Sequence, residues 1–200
     1  MKLKKRRGET ATGSPGDVFA QTVPEQAKTL FESGVQDLSA KNDEAGLDKI
    51  KKSLEAFPDY FLALDRLGNE YVLRGHYQAG YLLLAKATTI NPKSFTSVFG
   101  RGLAEFRLGN TDQAVASFAK SVELNKGSAN GFLWLGIARH SSKKLPEALT
   151  ALTKADELSG GTSAEVHWQL ARVYKDQGKF ARAADELELF LKFKPDAHNV

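Results

Sequence analysis

A 34-residue period runs through this chain from residue 27 to residue 197. Aligning the units on the proline that closes most of them divides the chain into residues 27–60, 61–94, 95–128, 129–163 and 164–197. Small residues occupy the eighth and the twentieth position of every unit: Gly34, Gly68, Gly102, Gly136 and Ala171, then Gly46, Gly80, Ala114, Ala148 and Ala183. A large apolar residue occupies the twenty-fourth: Ile50, Leu84, Phe118, Leu152 and Leu187. A period of this length is the signature of stacked structural repeats.

Each unit is predicted to form two helices joined by a short turn. Gly75, Gly109 and Gly178 fall where a left-handed residue ends the first helix, and prolines follow the second helix. The small residues allow the two helix axes to cross at the usual 8–10 Å. No unit can bury its apolar faces alone, so each is expected to stack on the next.

The best example of the unit is residues 61–94, whose marker positions are Leu64, Leu67, Gly68, Tyr71, Gly80, Leu84, Ala87 and Pro92. This pattern resembles the tetratricopeptide repeat, and the resemblance covers residues 27–197. It implies an all-α fold, a right-handed α-solenoid of tetratricopeptide helix-turn-helix hairpins. It also implies a scaffold or adaptor whose inner surface, lined mainly by first helices, receives a peptide or a helix of a partner protein.

The predicted peptide-binding groove has an apolar middle and charged ends. One flank is Asp65, Arg66 and Asn69, the middle is Phe99, Leu103, Phe106, Leu133, Trp134 and Ile137, and the far flank is His140, Trp168, Arg172 and Lys175. Such a surface suits a helix or extended segment with two or three apolar anchors, and its positive end favours an acidic residue in the partner. The alternative is that several of the rings simply pack between adjacent first helices.

One subtype of the family grips the C-terminal carboxylate of heat-shock chaperones with lysine, asparagine and arginine side chains at fixed positions. Only Asn69 matches that set here. The sequence therefore argues against a chaperone carboxylate as the partner, because several converging donors are needed to replace the water around a carboxylate.

Charged residues replace the expected apolar ones at Arg101, Glu105 and Arg139. The first two are four residues apart on one helix face, and the third lies one repeat further along. We expect an ion-pair cluster between neighbouring first helices that fixes their stacking, and a polar binding spot is the alternative.

The last helix is unusually apolar because it carries Phe190, Leu191 and Phe193. These side chains either pack inward against the fourth unit or are covered by a second chain or a further C-terminal segment. A second hypothesis follows, in which the chain is an oligomerising or tethering module of a larger, secreted or membrane-associated protein. That module would act through the C-terminal helix, as in a homo-oligomer, and through a basic N-terminal arm.

The N-terminal arm accounts for the net charge of +4, because five of the 28 Lys and Arg lie within residues 1–7 and the remainder nearly balances 24 Asp and Glu. Residues 1–23 are predicted to be a disordered basic arm or linker, and residues 198–200 a tail. With its positive charge confined to the arm, the repeat domain is not expected to bind nucleic acid.

The sequence offers little support for catalysis. It has no cysteine, and its four histidines (His76, His140, His167 and His198) lack the spacing of metal ligands. No apolar run reaches the ~18 residues of a membrane span. We therefore predict no enzymatic activity, no cofactor, no metal site and no membrane span. A cytoplasmic location is the default, and a leader segment ahead of Met1 would instead indicate a periplasmic or secreted protein.

Overall fold

The computed structural model describes residues 19–194, and this range folds into ten α-helices without a strand. The helices are Glu25–Ser39 (α1), Asp43–Ala56 (α2), Phe61–Leu73 (α3), Tyr77–Ile90 (α4), Phe95–Arg107 (α5), Thr111–Leu124 (α6), Ala129–Ser141 (α7), Leu145–Leu158 (α8), Ala164–Asp176 (α9) and Phe180–Phe193 (α10). Each predicted unit corresponds to one pair of them, with α1 beginning two residues ahead of the first unit, so the predicted all-α solenoid of helix hairpins is confirmed.

The two helices of a hairpin meet at the small residues, as the period predicts. A Cβ atom added to Gly68 would lie 2.7 Å from Leu84 Cγ, and one added to Gly136 would lie 2.6 Å from Leu152 Cγ. The residue at position 24 is completely buried in the first four units (Ile50, Leu84, Phe118 and Leu152). These glycines are therefore contact points between helices rather than flexible joints.

The turn inside each hairpin contains one residue in the left-handed region. Gly75, Gly109 and Gly178 have φ angles of 81°, 82° and 72°, as predicted. In the first and fourth units the residue is a lysine, with φ angles of 63° at Lys41 and 60° at Lys143. A side chain in this region costs about 1–2 kcal/mol relative to ordinary helical backbone, a penalty that glycine avoids.

Serine caps the first helix of the last three units. Ser94, Ser128 and Ser163 each accept a hydrogen bond from the backbone N–H three residues later, at distances of 3.2, 3.0 and 3.4 Å. A cap of this kind stabilises a helix by about 1 kcal/mol, because it satisfies a backbone donor that has no partner inside the helix.

Neighbouring units stack through apolar clusters that combine a second helix with the first helix of the following unit. On α8, Ala148, Leu152 and Ala155 pack with Val166, Leu170 and Val173 of α9. The first helices α3, α5, α7 and α9 also contact one another in succession, whereas within residues 19–194 the second helices show no comparable contact. The first helices therefore lie on the inside of the curve.

An extended segment precedes α1 and packs beside the start of α3. The side-chain amide of Gln21 donates to Asp59 O at 2.6 Å and accepts from Phe61 N at 2.9 Å. The Phe19 ring lies 4.9 Å from that of Phe61 in an edge-to-face arrangement. The last five residues of the predicted arm are thus held on the repeat domain by hydrogen bonds and ring packing; residues 1–18 and 195–200, with the rest of the arm, Pro195 and the tail, lie outside the described range.

Candidate functional site: the inner row of first helices

The inner row is our name for the first helices α3, α5, α7 and α9, taken on the side that faces away from the second helices. Their exposed or half-buried side chains recur at positions 2, 5, 9 and 13 of each unit. Three contacts join them in sequence: Asp65 reaches Ser97 from α3 to α5, Phe106 meets Trp134 from α5 to α7, and His140 meets Asp176 from α7 to α9. All thirteen predicted groove residues lie on these four helices.

The first flank of the row is a polar network within the chain. Asp65 Oδ1 accepts from Ser97 Oγ at 2.5 Å, from Thr96 Oγ1 at 3.1 Å and from Asn69 Nδ2 at 3.2 Å. Arg66 forms an ion pair with Glu70 at 2.9 Å. The acceptor sites of Asp65 are therefore largely occupied by α5, and this carboxylate holds two units together.

Asn69 is fixed by the same network and lies very close to the next first helix. Its side-chain amide also donates to Asp65 O at 2.9 Å. A Cβ atom at Gly100 would overlap Asn69 Oδ1, so the glycine leaves room for this side chain in its present orientation. The amide of Asn69 is consequently held at one orientation on the inner row.

A continuous series of aromatic rings joins the middle of the row to the core through Phe118 of α6, which is completely buried. The ring centroids of Phe95 and Phe99 are 5.6 Å apart, Phe99 lies 5.6 Å from Phe118, and Phe118 lies 6.1 Å from Trp134. Phe106 meets Trp134 edge to face at 5.8 Å. Phe99, Phe106 and Trp134 are each half-buried. These three rings are thus partly packed against other side chains and partly accessible to solvent.

Leu103, Leu133 and Ile137 complete this middle region and are also half-buried. The guanidinium of Arg107 lies 5.7 Å from the centre of the Trp134 ring, within the range of a cation–π contact. The middle of the inner row is thus apolar, with one positive charge beside it.

The residues of the far flank differ in solvent exposure, which the sequence does not show. His140 is buried, and its Nε2 donates to Asp176 Oδ2 at 2.8 Å, so this residue links α7 to α9. That hydrogen bond, aided by the charges of Lys143 and Lys175, lowers the pKa of Asp176 below its usual range. Trp168 is 40% exposed and Arg172 is exposed, as a binding surface requires.

The three residues predicted to form a charged cluster between neighbouring first helices do not come together as one group. Arg101 Nε lies 3.2 Å from Glu105 Oε1, and Ser117 on α6 donates to Glu105 Oε2 at 2.6 Å. Arg139 instead donates to Glu147 O at 3.3 Å inside its own unit. Burial raises the pKa of Glu105, and the Ser117 hydrogen bond and the Arg101 charge oppose this rise only in part. The pair lies between first and second helices, which favours a structural role.

The C-terminal rings pack on α9 of their own unit rather than against the fourth unit. The Phe190 ring lies 5.3 Å from Trp168, and Phe193 stacks on His167 at 5.7 Å. His167 also contacts Glu186 through Nδ1 at 2.8 Å and Gly161 O through Nε2 at 3.1 Å. These contacts hold α10 against α9.

Two exposed leucines of α3 are absent from the predicted set. Leu62 is 49% exposed and Leu73 is 77% exposed. They occupy positions 2 and 13 of their unit, on the same stripe as Asp65 and Asn69. Their positions in the unit could have identified them from the sequence. An exposed leucine on a binding face can contact an apolar side chain of a partner.

No helix within residues 19–194 has the length and apolar character needed to cross a bilayer. In the same range, no three His, Cys, Asp or Glu side chains are grouped as a metal site would require.

Two family models show to which protein family this chain belongs. One tetratricopeptide repeat model matches residues 44–129 and 99–162, and a second matches residues 164–196. The chain belongs to the tetratricopeptide repeat family. Proteins of this family generally mediate protein–protein interactions.

Two curated relatives agree with this assignment over part of their length. The protein SGT1 homolog of Bos taurus is 27% identical over 109 residues, which is 54% of this chain and 32% of that protein. Anaphase-promoting complex subunit 3 of Schizosaccharomyces pombe (strain 972 / ATCC 24843) is 23% identical over 151 residues, 76% of this chain and 23% of that protein. This tetratricopeptide repeat chain thus spans a third or less of either relative.

Solved structures show the same fold. A MamA structure from Desulfovibrio magneticus RS-1, residues 41 to the end, has a TM-score of 0.79 at 17% identity, covering 88% of this chain and 98% of that one. YrrB, described as a tetratricopeptide repeat protein with an unusual peptide-binding site, has a TM-score of 0.77 at 20% identity, covering 86% of this chain and 88% of that one. At these identities the likeness concerns the fold alone.

Proposed function

We propose that this protein is a non-enzymatic scaffold that binds a peptide or a helix of a partner protein along its inner row. The observation that carries the proposal is the half-buried state of the rings in the middle of the row, because Phe99, Phe106 and Trp134 each pack against a neighbouring ring and keep part of their surface accessible. Pre-packed aromatic side chains lose little conformational freedom when a partner binds, so they serve well as anchors.

The flanks would orient the partner rather than supply most of the affinity. Asn69 presents a fixed amide, and Arg107 and Arg172 add positive charge. We expect a segment with two or three apolar residues and at least one carboxylate. The description of YrrB as a peptide-binding protein supports this function by analogy of fold.

The test begins with selection from a displayed peptide library against the full chain, followed by affinity measurements on the peptides recovered. Phe99→Ala, Asn69→Ala and Arg172→Ala are compared with the unmodified protein. We expect the first to weaken binding by at least about tenfold and the other two by less, since buried aromatic anchors dominate such interfaces. Unchanged affinity in all three variants would remove the inner row from the proposal.

A matched pair of leucines controls for surface hydrophobicity and folding. Leu62→Ser changes a 49% exposed leucine on the inner row, and Leu82→Ser changes a 59% exposed leucine on α4, a second helix. Only the first substitution is expected to weaken the selected peptides. Equal effects of the two substitutions would indicate non-specific apolar binding.

A further inference from the structure

The fifth unit has a buried histidine where the other four units have an apolar residue. His167 is at position 4 of its unit, and its side chain is 3% exposed. The counterparts in the first four units are Leu30, Leu64, Val98 and Phe132. An apolar side chain fills this place without any polar partner, whereas a buried imidazole is stable only if its nitrogens are hydrogen-bonded.

Two carboxylates also replace apolar residues beside this ring. Glu186 is at position 23 of the fifth unit, and Asp156 is at position 28 of the fourth. The corresponding three places around the second unit are filled by Leu54, Leu64 and Leu83, which pack in one apolar cluster. The junction of the last two units therefore has a histidine and two acids where an earlier junction has three leucines.

Both nitrogens of the His167 ring face oxygen acceptors. Nδ1 lies 2.8 Å from Glu186 Oε2, and Nε2 lies 3.1 Å from Gly161 O and 3.7 Å from Asp156 Oδ1. Asp156 Oδ1 is buried and has no hydrogen-bond donor among the described residues. Within residues 19–194 the charged groups in contact with the ring are Asp156 of α8 and Glu186 of α10, and the uncharged Phe193 ring stacks on it.

A neutral imidazole does not satisfy this arrangement. It has one N–H donor and one bare nitrogen, and the bare nitrogen would face either the Glu186 carboxylate or the Gly161 carbonyl, an acceptor against an acceptor. An imidazolium has two N–H donors and places a positive charge between two carboxylates, so all three contacts become favourable.

We propose that His167, Glu186 and Asp156 form a proton-dependent latch, in which the doubly protonated His167 ring fastens α10 to α9 and the fifth unit to the fourth. When pH rises, one ring proton passes to solvent and one contact becomes repulsive. The contribution of the latch to stability is therefore present at low pH and lost as pH rises. The latch is independent of the proposed peptide binding, because the ring faces α8 and α10, away from the inner row.

Nitrogen-15 NMR of the full chain tests the protonation state, because protonated and bare ring nitrogens give well separated resonances. The His167 signals are assigned by their loss from a double variant, His167→Leu with Glu186→Leu, which restores the pair of the second unit. We expect both nitrogens to carry protons at about pH 7, where an ordinary histidine is mostly neutral. One bare nitrogen at that pH would overturn the proposal.

Glu186→Gln separates a latch from a merely structural contact. The glutamine amide can donate to a bare Nδ1, so a neutral ring is acceptable in this variant. We therefore expect one bare nitrogen in the variant at about pH 7 and none in the unmodified protein. If Glu186 rather than the ring carries the extra proton, both proteins will show one bare nitrogen, and the latch as proposed is wrong.

Release of α10 is followed by amide hydrogen exchange of residues 180–193, expressed as protection relative to the intrinsic exchange rate at each pH. Between about pH 5 and pH 9 the protection of α10 should fall at least about tenfold relative to that of α4, since a hydrogen bond to a charged group is lost. His140 is unchanged in all the variants, so its titration cancels in the comparison.

The double leucine variant should keep a constant ratio of α10 to α4 protection over the same pH range. Glu186→Gln should also show little change, and it replaces the leucine variant if circular dichroism shows that the latter does not fold. No fall in the unmodified protein, or an equal fall in the variants, would overturn the proposal.

Discussion

The third and the fifth unit have the same architecture and bury the same position to different degrees. In the third unit Phe118 is enclosed by its own first helix and by α7, and it is 0% exposed. In the fifth unit Leu187 has α9 on one side only and is 37% exposed. The contribution of a residue to the stability of a solenoid therefore depends on its own hairpin and also on whether a neighbouring unit covers it.

The largest expected effect contrasts these two residues directly. Phe118→Ala should lower the free energy of unfolding by about 3–5 kcal/mol, because it leaves a cavity in a closed core. Leu187→Ala should lower it by about 1–2 kcal/mol, since less apolar surface is removed from contact. Urea unfolding followed by far-UV circular dichroism measures both. Equal losses would mean that α10 is as enclosed as α6.

A smaller effect concerns the crossing point of the hairpin. In the third unit a Cβ at Gly102 would lie 2.9 Å from Phe118 Cε1, and the buried ring has no room to move. Gly102→Ala should therefore destabilise the protein by about 1–3 kcal/mol. The fifth unit already has alanine here, and Ala171→Gly should cost only about 0.5–1 kcal/mol. Thermal unfolding of the two variants compares them, and tolerance of Gly102→Ala would show that the third unit relaxes as readily as the last.

The turn inside the hairpin reverses the comparison, because here the terminal unit has the more favourable residue. Gly178 accommodates the left-handed backbone that Lys143 adopts in the fourth unit. Lys143→Gly should raise the free energy of unfolding by about 1 kcal/mol. Lys143→Ala, which removes the same charge but keeps a Cβ atom in the left-handed region, is the control and should bring no gain. A gain from both substitutions would point to removal of charge rather than of backbone strain.

The smallest effect is a difference in pH dependence between two carboxyl groups. Burial raises the pKa of Glu105 in the third unit above its usual 4.5, so its contribution to stability falls as pH rises from 4.5 through the folded-state pKa. Hydrogen bonding lowers the pKa of Asp176 in the fifth unit below its usual 3.8, so its contribution is lost as pH falls from 3.8 through the folded-state pKa.

The corresponding variants are Glu105→Gln and Asp176→Asn. The first should flatten the pH dependence of the melting temperature above pH 4.5, and the second should flatten it below pH 3.8. A pH profile unchanged by Glu105→Gln would mean that the Glu105 carboxyl is not desolvated in solution.

The period was sufficient to predict the ten helices, the crossing glycines and the burial at position 24. It could not predict the exposure of Leu187, because a periodic pattern assigns every unit the same surroundings. The partners of Asp65 and His140 also depend on the rotation of one first helix against the next, and spacing within one helix carries no information about that rotation. Arg139 illustrates the same limit, since its real partner, Glu147 O, is a backbone atom of its own unit.

The arrangement of contacts also determines how the solenoid deforms. Within residues 19–194, successive first helices contact one another along the inner row, whereas second helices contact the next unit mainly at its first helix. A small rotation at each interface therefore accumulates along the array, and it opens the outer layer far more than it stretches the inner one. The molecule should therefore change its end-to-end length mainly by coiling, with the outer layer opening more than the inner row.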